Sequence, residues 1–228
     1  MHAAFIIIAI LVVAGVAYLG YLNNKKRREA FQRWAASRGW TYTEEDNSLT
    51  DRFEGNPFGK GDHRRAKNVV TGRHENRPVV AFDYSYQTHS TDSEGHRTTT
   101  THRFNVVSIG LPVSLPNLEV GREGLFNKMG RALGFHDIEF ENGEFNKKFN
   151  ISCDDRKLAY DVLHPRMMQW LLDNPGPAWR VERSDLLCWD SGRVSPEVID
   201  RQVAYLATIA DQVPRFVWQD RGATPPNQ

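Results

Sequence analysis

Twenty consecutive residues without a charge, from Ala3 to Leu22, constrain this chain more than any other feature of its sequence. At a rise of about 1.5 Å per residue, a helix of this length spans roughly 30 Å, the thickness of the hydrocarbon core of a bilayer. A secretory signal peptide would begin with a positively charged segment, and a buried core helix is rarely so long and uniformly apolar. We therefore expect a retained transmembrane helix over residues 1–23.

A basic cluster follows the apolar run directly. Its members are Lys25, Lys26, Arg27 and Arg28. Because positively charged flanks stay in the cytoplasm, the cluster predicts an N-terminus outside the cell and a cytoplasmic domain at the plasma membrane. The cluster could also bind anionic lipid headgroups as a membrane-surface site. We favour the simpler alternative, in which it is a topology signal on a helix docked against its own domain.

The basic residues belong to a predicted juxtamembrane helix over residues 24–39. Its apolar side chains recur at helical spacing and form one face, made of Ala30, Phe31, Trp34 and Ala35. Gly39 is a typical residue just past a helix end. We expect a single globular domain over residues 40–220 and a disordered tail over residues 221–228.

The composition narrows the classes of function. Of 228 residues, 40% are hydrophobic and 25% are charged, which is ordinary usage for a protein with a packed core. The formal net charge is only +1, so a nucleic-acid partner is not favoured. Cys153 and Cys188 are too few for a disulfide scaffold, and either two free thiols or one bridge fits the sequence.

Strands joined by turns dominate the first half of the domain. Residues 40–46 predict a short strand, and residues 67–88 predict two strands joined by a turn at His74 to Arg77. A polar turn at Asp92 to Gly95 then leads into a further strand over residues 103–112. This arrangement favours an α+β fold with a mainly antiparallel sheet and packed helices.

Helical signals dominate the second half. Residues 122–134 carry an apolar stripe that ends at a glycine, Asp154 is placed to cap a helix, and Pro165 is placed to begin another. Residues 178–190 predict a hairpin with its turn at the polar centre. Ser195 and Pro196 predict the start of the last helix, whose stripe is formed by Ile199, Val203, Leu206, Ala210 and Val213.

Histidines near one turn are the most prominent candidates for chemistry. His89, His96 and His102 surround the turn at Asp92 to Gly95. Zinc requires three or four converging ligands at about 2 Å, and His89 and His102 are expected on opposite strands out of direct register. We interpret the segment as a solvated polar loop and predict no metal, cofactor or catalytic residue. The pair Cys153 and His164 could suggest a thiol nucleophile, but structural roles are favoured.

Several segments together carry a resemblance. They are KKRREAFQRWAASRGW, RRAKNVVTGRHENRPVVAFDYSY, IEFENGEFNKKFNISCDDRKLAYDVLHPRMMQWLL and LLCWDSGR. The chain resembles uncharacterised single-span membrane proteins of actinobacteria, and residues 68–172 resemble a bacterial domain of unknown function. The resemblance implies a membrane protein with an α+β domain, and it brings no catalytic residue, cofactor or substrate.

These observations predict a membrane-anchored, non-enzymatic binding or scaffold module in the cytoplasm. Its partners would be the membrane, through one N-terminal helix, and a protein or a second copy of the chain. Two alternatives stay open: an enzyme with an unrecognised site, and a binder of anionic lipid or nucleic acid through basic clusters, including Arg64 to Arg73.

Overall fold

The computed structural model describes residues 2–122 and 138–223, with side chains from residue 11 onward. A long N-terminal helix leads into an antiparallel six-stranded sheet with helices packed on it, so the predicted α+β class is confirmed. The helices are α1 (His2–Ser37), α2 (Gly143–Lys148), α3 (Arg156–Val162), α4 (Pro165–Asp173), α5 (Pro196–Gln212) and α6 (Arg215–Gln219). The strands are β1 (Thr41–Glu45), β2 (Asp62–His74), β3 (Arg77–Thr91), β4 (Arg97–Arg122), β5 (Phe149–Cys153) and β6 (Ala178–Ser191). The predicted helix over residues 122–134 lies almost entirely outside the described residues.

Strand β4 organises the sheet because it pairs with three other strands. Its first half pairs with β3, its last residues pair with β5, and β6 runs along its other side. Strands β1, β2 and β3 follow one another outward, and every pairing is antiparallel. At 26 residues, β4 continues well past the point where the sequence predicted a strand end.

The predicted hairpin over residues 178–190 is wrong, because β6 is a single strand. Along β6, Asp185 pairs with Gly110 and Arg183 pairs with Leu115, so several residues of β4 bulge opposite a short stretch of β6. Arg183 has a φ of 56°, which gives this point the local backbone of a turn. The polar segment therefore marks a bend that β6 shares with β4, and it does not reverse the chain.

The two faces of the sheet bury separate cores. On one face, Val107 and Ile109 of β4 pack with α1, α3, α4 and α5 in the larger core. On the other face, Tyr84 and Phe82 pack under the segment 47–58, which contributes Phe58. Alternate residues of one strand therefore enter different cores, as the period of two requires.

Side chains cap the helices in the second half. Asp155 accepts a hydrogen bond from the Leu158 amide and caps α3, so the predicted cap at Asp154 is wrong by one residue. Pro165 begins α4 and Ser195 caps α5, both as predicted. At the end of α6, Arg221 donates to the Asp155 carboxylate at 2.9 Å. The chain is thus attached to the domain as far as Arg221.

The N-terminal helix α1 is continuous from His2 to Ser37. Among the residues whose side chains the structure describes, we find no helix with enough length and hydropathy to cross a membrane. The first half of the predicted anchor, residues 1–10, lies outside those side chains. The anchor over residues 1–23 stays a prediction.

Candidate functional site

The C-terminal part of α1 is docked on the domain by aromatic packing. Phe31 is 1% exposed and stacks on Tyr42 of β1, with ring centroids 5.9 Å apart. Trp34 meets Trp40 edge to face at 5.4 Å, and Ala35 is also buried. Phe31, Trp34 and Ala35 of the predicted apolar face therefore make the docking contact, whereas Ala30 is exposed.

A polar network at the carboxylate of Asp83 completes the docking. Asp83 accepts hydrogen bonds from the Arg27 guanidinium at 2.9 Å, the Asn68 amide at 2.8 Å and the Val194 backbone amide at 2.7 Å. Arg27 also donates to the Val194 carbonyl at 2.7 Å. One carboxylate on β3 therefore joins α1, β2 and the loop before α5.

Irregularities in β2 place the residues of this network. Asn68 has a φ of 49° and stands where the pairing of β2 with β3 shifts register. Asparagine tolerates this backbone better than most residues, and a bulge redirects the side chain it carries. Here the Asn68 amide group accepts from the Tyr42 hydroxyl at 2.9 Å while it donates to Asp83. A second register shift lies around His63.

Beyond this network lies an open polar cavity of about 620 Å³, which we call the basic groove. It runs between the start of the docked part of α1 and the polar end of strands β2 to β4. Its positively charged lining consists of Arg27, Arg28, Arg65, Lys67, Arg103 and Arg193. Its carboxylates are Glu44 and Asp83, so cations exceed anions by four.

The lining cations divide into paired and unpaired groups. Arg27 pairs with Asp83, and Arg28 pairs with Glu44 at 2.6 Å. Lys67 lies 3.3 Å from the carboxylate of Glu45. Arg65, Arg103 and Arg193 are exposed, and none of them forms a salt bridge within the described part of the chain. These three side chains, together with Lys67, whose partner Glu45 lies outside the lining, account for the excess of four cations.

Strand register places two of the unpaired arginines in one row. Arg65 pairs with Ser85, and Ser85 pairs with Arg103 on its other side. Directly paired residues point to the same face of a sheet, so the side chains of Arg65 and Arg103 leave that face on either side of Ser85 and line the same groove. With neighbouring strands about 4.8 Å apart, their Cα atoms are roughly 10 Å apart. Arg103 and Arg193 are not among the candidate residues that the sequence predicts.

The predicted membrane-surface residues lie in two different surroundings. Lys25 and Lys26 are exposed on α1, whereas Arg27 and Arg28 face the domain and enter the groove. The structure therefore divides the cluster into a pair directed to solvent and a pair that helps to hold α1. Binding of lipid headgroups by these residues stays a prediction.

The three histidines of the polar turn have separate partners. His89 Nδ1 lies 2.9 Å from the Thr99 hydroxyl, His96 Nδ1 lies 3.2 Å from the Asp92 carboxylate, and His102 stacks on Tyr86 at 4.7 Å. His89 pairs with Thr99 while His102 pairs with Tyr86, so the two histidines lie on opposite faces of the hairpin. Within the described residues no group of three or more His, Cys, Asp or Glu side chains is arranged to hold a metal ion.

Cys153 and His164 both have structural roles. The Cys153 thiol donates to the Asp155 carbonyl at 3.1 Å, and burial raises its pKa to about 11. His164 caps α4 by accepting from the Met167 amide, and its other ring nitrogen lies 3.1 Å from the Gln212 carbonyl. Cys153 and Cys188 are both free and buried, which answers the question of pairing that the sequence left open.

Comparison with known proteins places the fold. No protein-family model matches the chain, and no curated protein matches it. The crystal structure of the mycobacterial trehalose monomycolate transport factor A, TtfA, superposes on it with a TM-score of 0.62. The match covers 88% of this chain and 97% of the TtfA chain at 16% sequence identity. The chain shares the fold of TtfA. A likeness at this identity shows the fold alone, so membership of a family of actinobacterial membrane proteins stays a prediction.

Proposed function

We propose that this chain is a membrane-tethered, non-catalytic accessory factor that presents its domain to a protein partner at the cytoplasmic face of the plasma membrane. One observation carries the proposal: α1 is a single helix with two different environments. Its C-terminal part is buried in the domain, and its upstream part is apolar and exposed.

The exposed part of α1 has the composition of a membrane-inserted segment. Its large apolar side chains are 59–69% exposed, and they are Leu11, Val12, Val13, Val16, Tyr18, Leu19 and Tyr21. Contiguous apolar surface of this kind marks a membrane or protein contact. The residues from 11 to 22 cover about 18 Å as a helix, so a full crossing of about 30 Å also uses residues 3–10.

The shared fold suggests which cellular process the chain assists. TtfA is a transport factor for trehalose monomycolate. A fold alone does not determine function, so transport enters this proposal by analogy and not from a shared site. What supports the analogy is the extent of the match, which covers 88% of this chain and 97% of the TtfA chain.

Vesicle flotation tests the tether. The apolar part of α1, residues 3–22, is called the stem. We expect the full chain to float with phosphatidylcholine vesicles at high salt, because insertion of the stem does not depend on charge. The double variant Val12→Asp/Val16→Asp should remain in the dense fraction, since an acidic residue at a helix centre costs about 2.5–3.5 kcal/mol on insertion. Val12→Leu/Val16→Leu is the matched control and should float. Equal flotation of all three proteins would refute the tether.

Thiol labelling in intact cells tests the side of the membrane. The native thiols are poor reporters because both are buried. Ser93 is exposed at the turn between β3 and β4, so Ser93→Cys places a reactive thiol on the surface of the domain. We expect a membrane-impermeant maleimide to label this variant only after permeabilisation. Labelling from outside intact cells would place the domain on the other side and overturn the cytoplasmic assignment.

A further inference from the structure

Three arginines of the basic groove form no salt bridge within the described part of the chain. Arg27 and Arg28 hold α1, but Arg65, Arg103 and Arg193 make no salt bridge within the described residues and are exposed. Uncompensated arginines that project into one concave surface repel one another. Their convergence is stabilised when an anion occupies the space between them.

The geometry of the row fits a phosphate group. Arginine offers a planar fork of donors that matches phosphate oxygens, and two forks about 10 Å apart at the Cα atoms reach toward a common point above Ser85. The Ser85 hydroxyl adds a neutral donor between them. Arg193 approaches from the loop before α5, so the donors come from three directions.

The two carboxylates in the groove do not neutralise the three arginines. Asp83 already accepts three hydrogen bonds, including one from Arg27, and Glu44 is paired with Arg28 at 2.6 Å. Each negative charge therefore has its own cation. The field in the remaining space is set by Arg65, Arg103 and Arg193.

The groove also lies close to the end of the apolar stem. Its lining begins at Asn24, two residues after the apolar run ends at Leu22. Along a helix this is about 3 Å, and the headgroup layer of a bilayer is several ångströms thick. If the stem lies in the membrane, as the proposed function states, the groove opens at the level of the lipid phosphates.

We propose that the basic groove is a phosphate-binding site built by Arg65, Arg103 and Arg193. The shared chemistry is a phosphate mono- or diester. Its source at this position is an anionic lipid headgroup, and a free phosphate compound is the other source. This source assignment rests on the proposed membrane tether, but the phosphate chemistry itself does not.

Native mass spectrometry of the full chain, released from a neutral detergent, tests the site without a bilayer. We expect the protein to retain phosphatidylglycerol and to retain phosphatidylcholine, whose headgroup has no net charge, much less. Arg65→Gln/Arg103→Gln should weaken retention of phosphatidylglycerol about tenfold or more, because each arginine supplies a charge-assisted contact. Arg166→Gln/Arg215→Gln removes two exposed arginines from α4 and α6 and is the matched control, which should bind as the wild type does.

A second arm separates the two sources of phosphate. The full chain in detergent is titrated with inorganic phosphate and with glycerol 3-phosphate, and binding is followed by calorimetry. Weak binding of these compounds beside strong retention of phosphatidylglycerol identifies the lipid. Submicromolar binding of glycerol 3-phosphate, lost in Arg65→Gln/Arg103→Gln, identifies a soluble ligand and overturns the lipid source.

The remaining outcomes are equally decisive. Equal retention of phosphatidylglycerol by the wild type and the groove variant overturns the site. Tighter binding of a single-stranded oligonucleotide than of phosphatidylglycerol would assign the groove to nucleic acid instead. A chain that floats with neutral vesicles but binds no phosphate refutes the groove alone, whereas a chain that binds phosphate but does not float refutes the tether alone.

Discussion

Replacement of Asp83 by alanine is the most informative test of how the N-terminal helix is held. The Asp83 side chain is 15% exposed and accepts from Arg27, Asn68 and the Val194 amide. The variant removes all three hydrogen bonds at once and leaves the Arg27 guanidinium beside the sheet without its carboxylate.

The magnitude follows from the environment of each donor. A hydrogen bond to a charged group contributes about 1.5–3 kcal/mol, but Arg27 is 25% exposed and recovers part of this from water. The Val194 amide belongs to a residue that is 1% exposed, so it loses a partner that water does not easily replace. We expect Asp83→Ala to lower the free energy of unfolding by about 2–4 kcal/mol.

Urea unfolding followed by tryptophan fluorescence measures this loss, and trypsin digestion shows where it acts. Release of α1 should expose its basic residues to cleavage before the rest of the domain unfolds. Asp161→Ala is the control: Asp161 is 22% exposed, and among the described residues its salt-bridge partner is Lys157 at 2.6 Å. A pair of this kind contributes about 0.3–0.5 kcal/mol. An Asp83→Ala variant as stable as the control would show that aromatic packing alone holds α1.

Two further substitutions test the sheet. Arg180→Met removes the buried cation beside Glu119, and burial already raises the pKa of that carboxyl. Without Arg180 the pKa of Glu119 in the folded state rises further, so the cost of ionising Glu119 is largest at high pH. We expect the variant to lose about 3–5 kcal/mol of unfolding free energy near pH 8 and less near pH 5, as measured by urea titration at both pH values. Gly72→Ala would place a Cβ 2.2 Å from the Trp40 ring and should cost about 1–3 kcal/mol in a thermal melt, whereas Gly143→Ala, with no atom within 4 Å, should cost nothing measurable.

The sequence was sufficient for features that depend on local periodicity. The stripe of α5 is buried as predicted at Ile199, Val203 and Leu206, and the turn between β2 and β3 lies at Glu75 and Asn76 within the predicted range. These features depend on side-chain spacing and turn chemistry, which a single sequence contains. The α+β class follows from them because hairpins determine an antiparallel sheet.

The groove could not be predicted, because it depends on strand register. Thr71 of β2 pairs with Val80 of β3. If this register continued without a bulge, Arg65 would pair with Tyr86 and would lie on the face of the sheet that packs under residues 47–58. The bulge at Asn68 shifts the pairing by one residue, so Arg65 opposes Ser85 instead. A shift of one residue exchanges the faces of a strand, and nothing in the residues around Asn68 announces the bulge.

The bend shared by β4 and β6 escaped prediction for a related reason. The segment around Arg183 has the polarity of a turn, and its backbone at that residue is left-handed. Whether such a segment reverses the chain depends on the strand opposite, here β4, which lies more than 60 positions earlier in the sequence. Long-range pairing of this kind is not contained in local composition.

Because α1 is uninterrupted, it fixes the angle of the domain about the helix axis relative to the stem. Since α1 is one helix from His2 to Ser37 and its last turns are fixed to the sheet, the domain rotates with the segment upstream as a rigid body. One residue inserted after Leu22 would turn the domain by about 100° about the helix axis and raise it by about 1.5 Å. The number of residues between Leu22 and Arg27 therefore determines in which direction about the helix axis the groove opens.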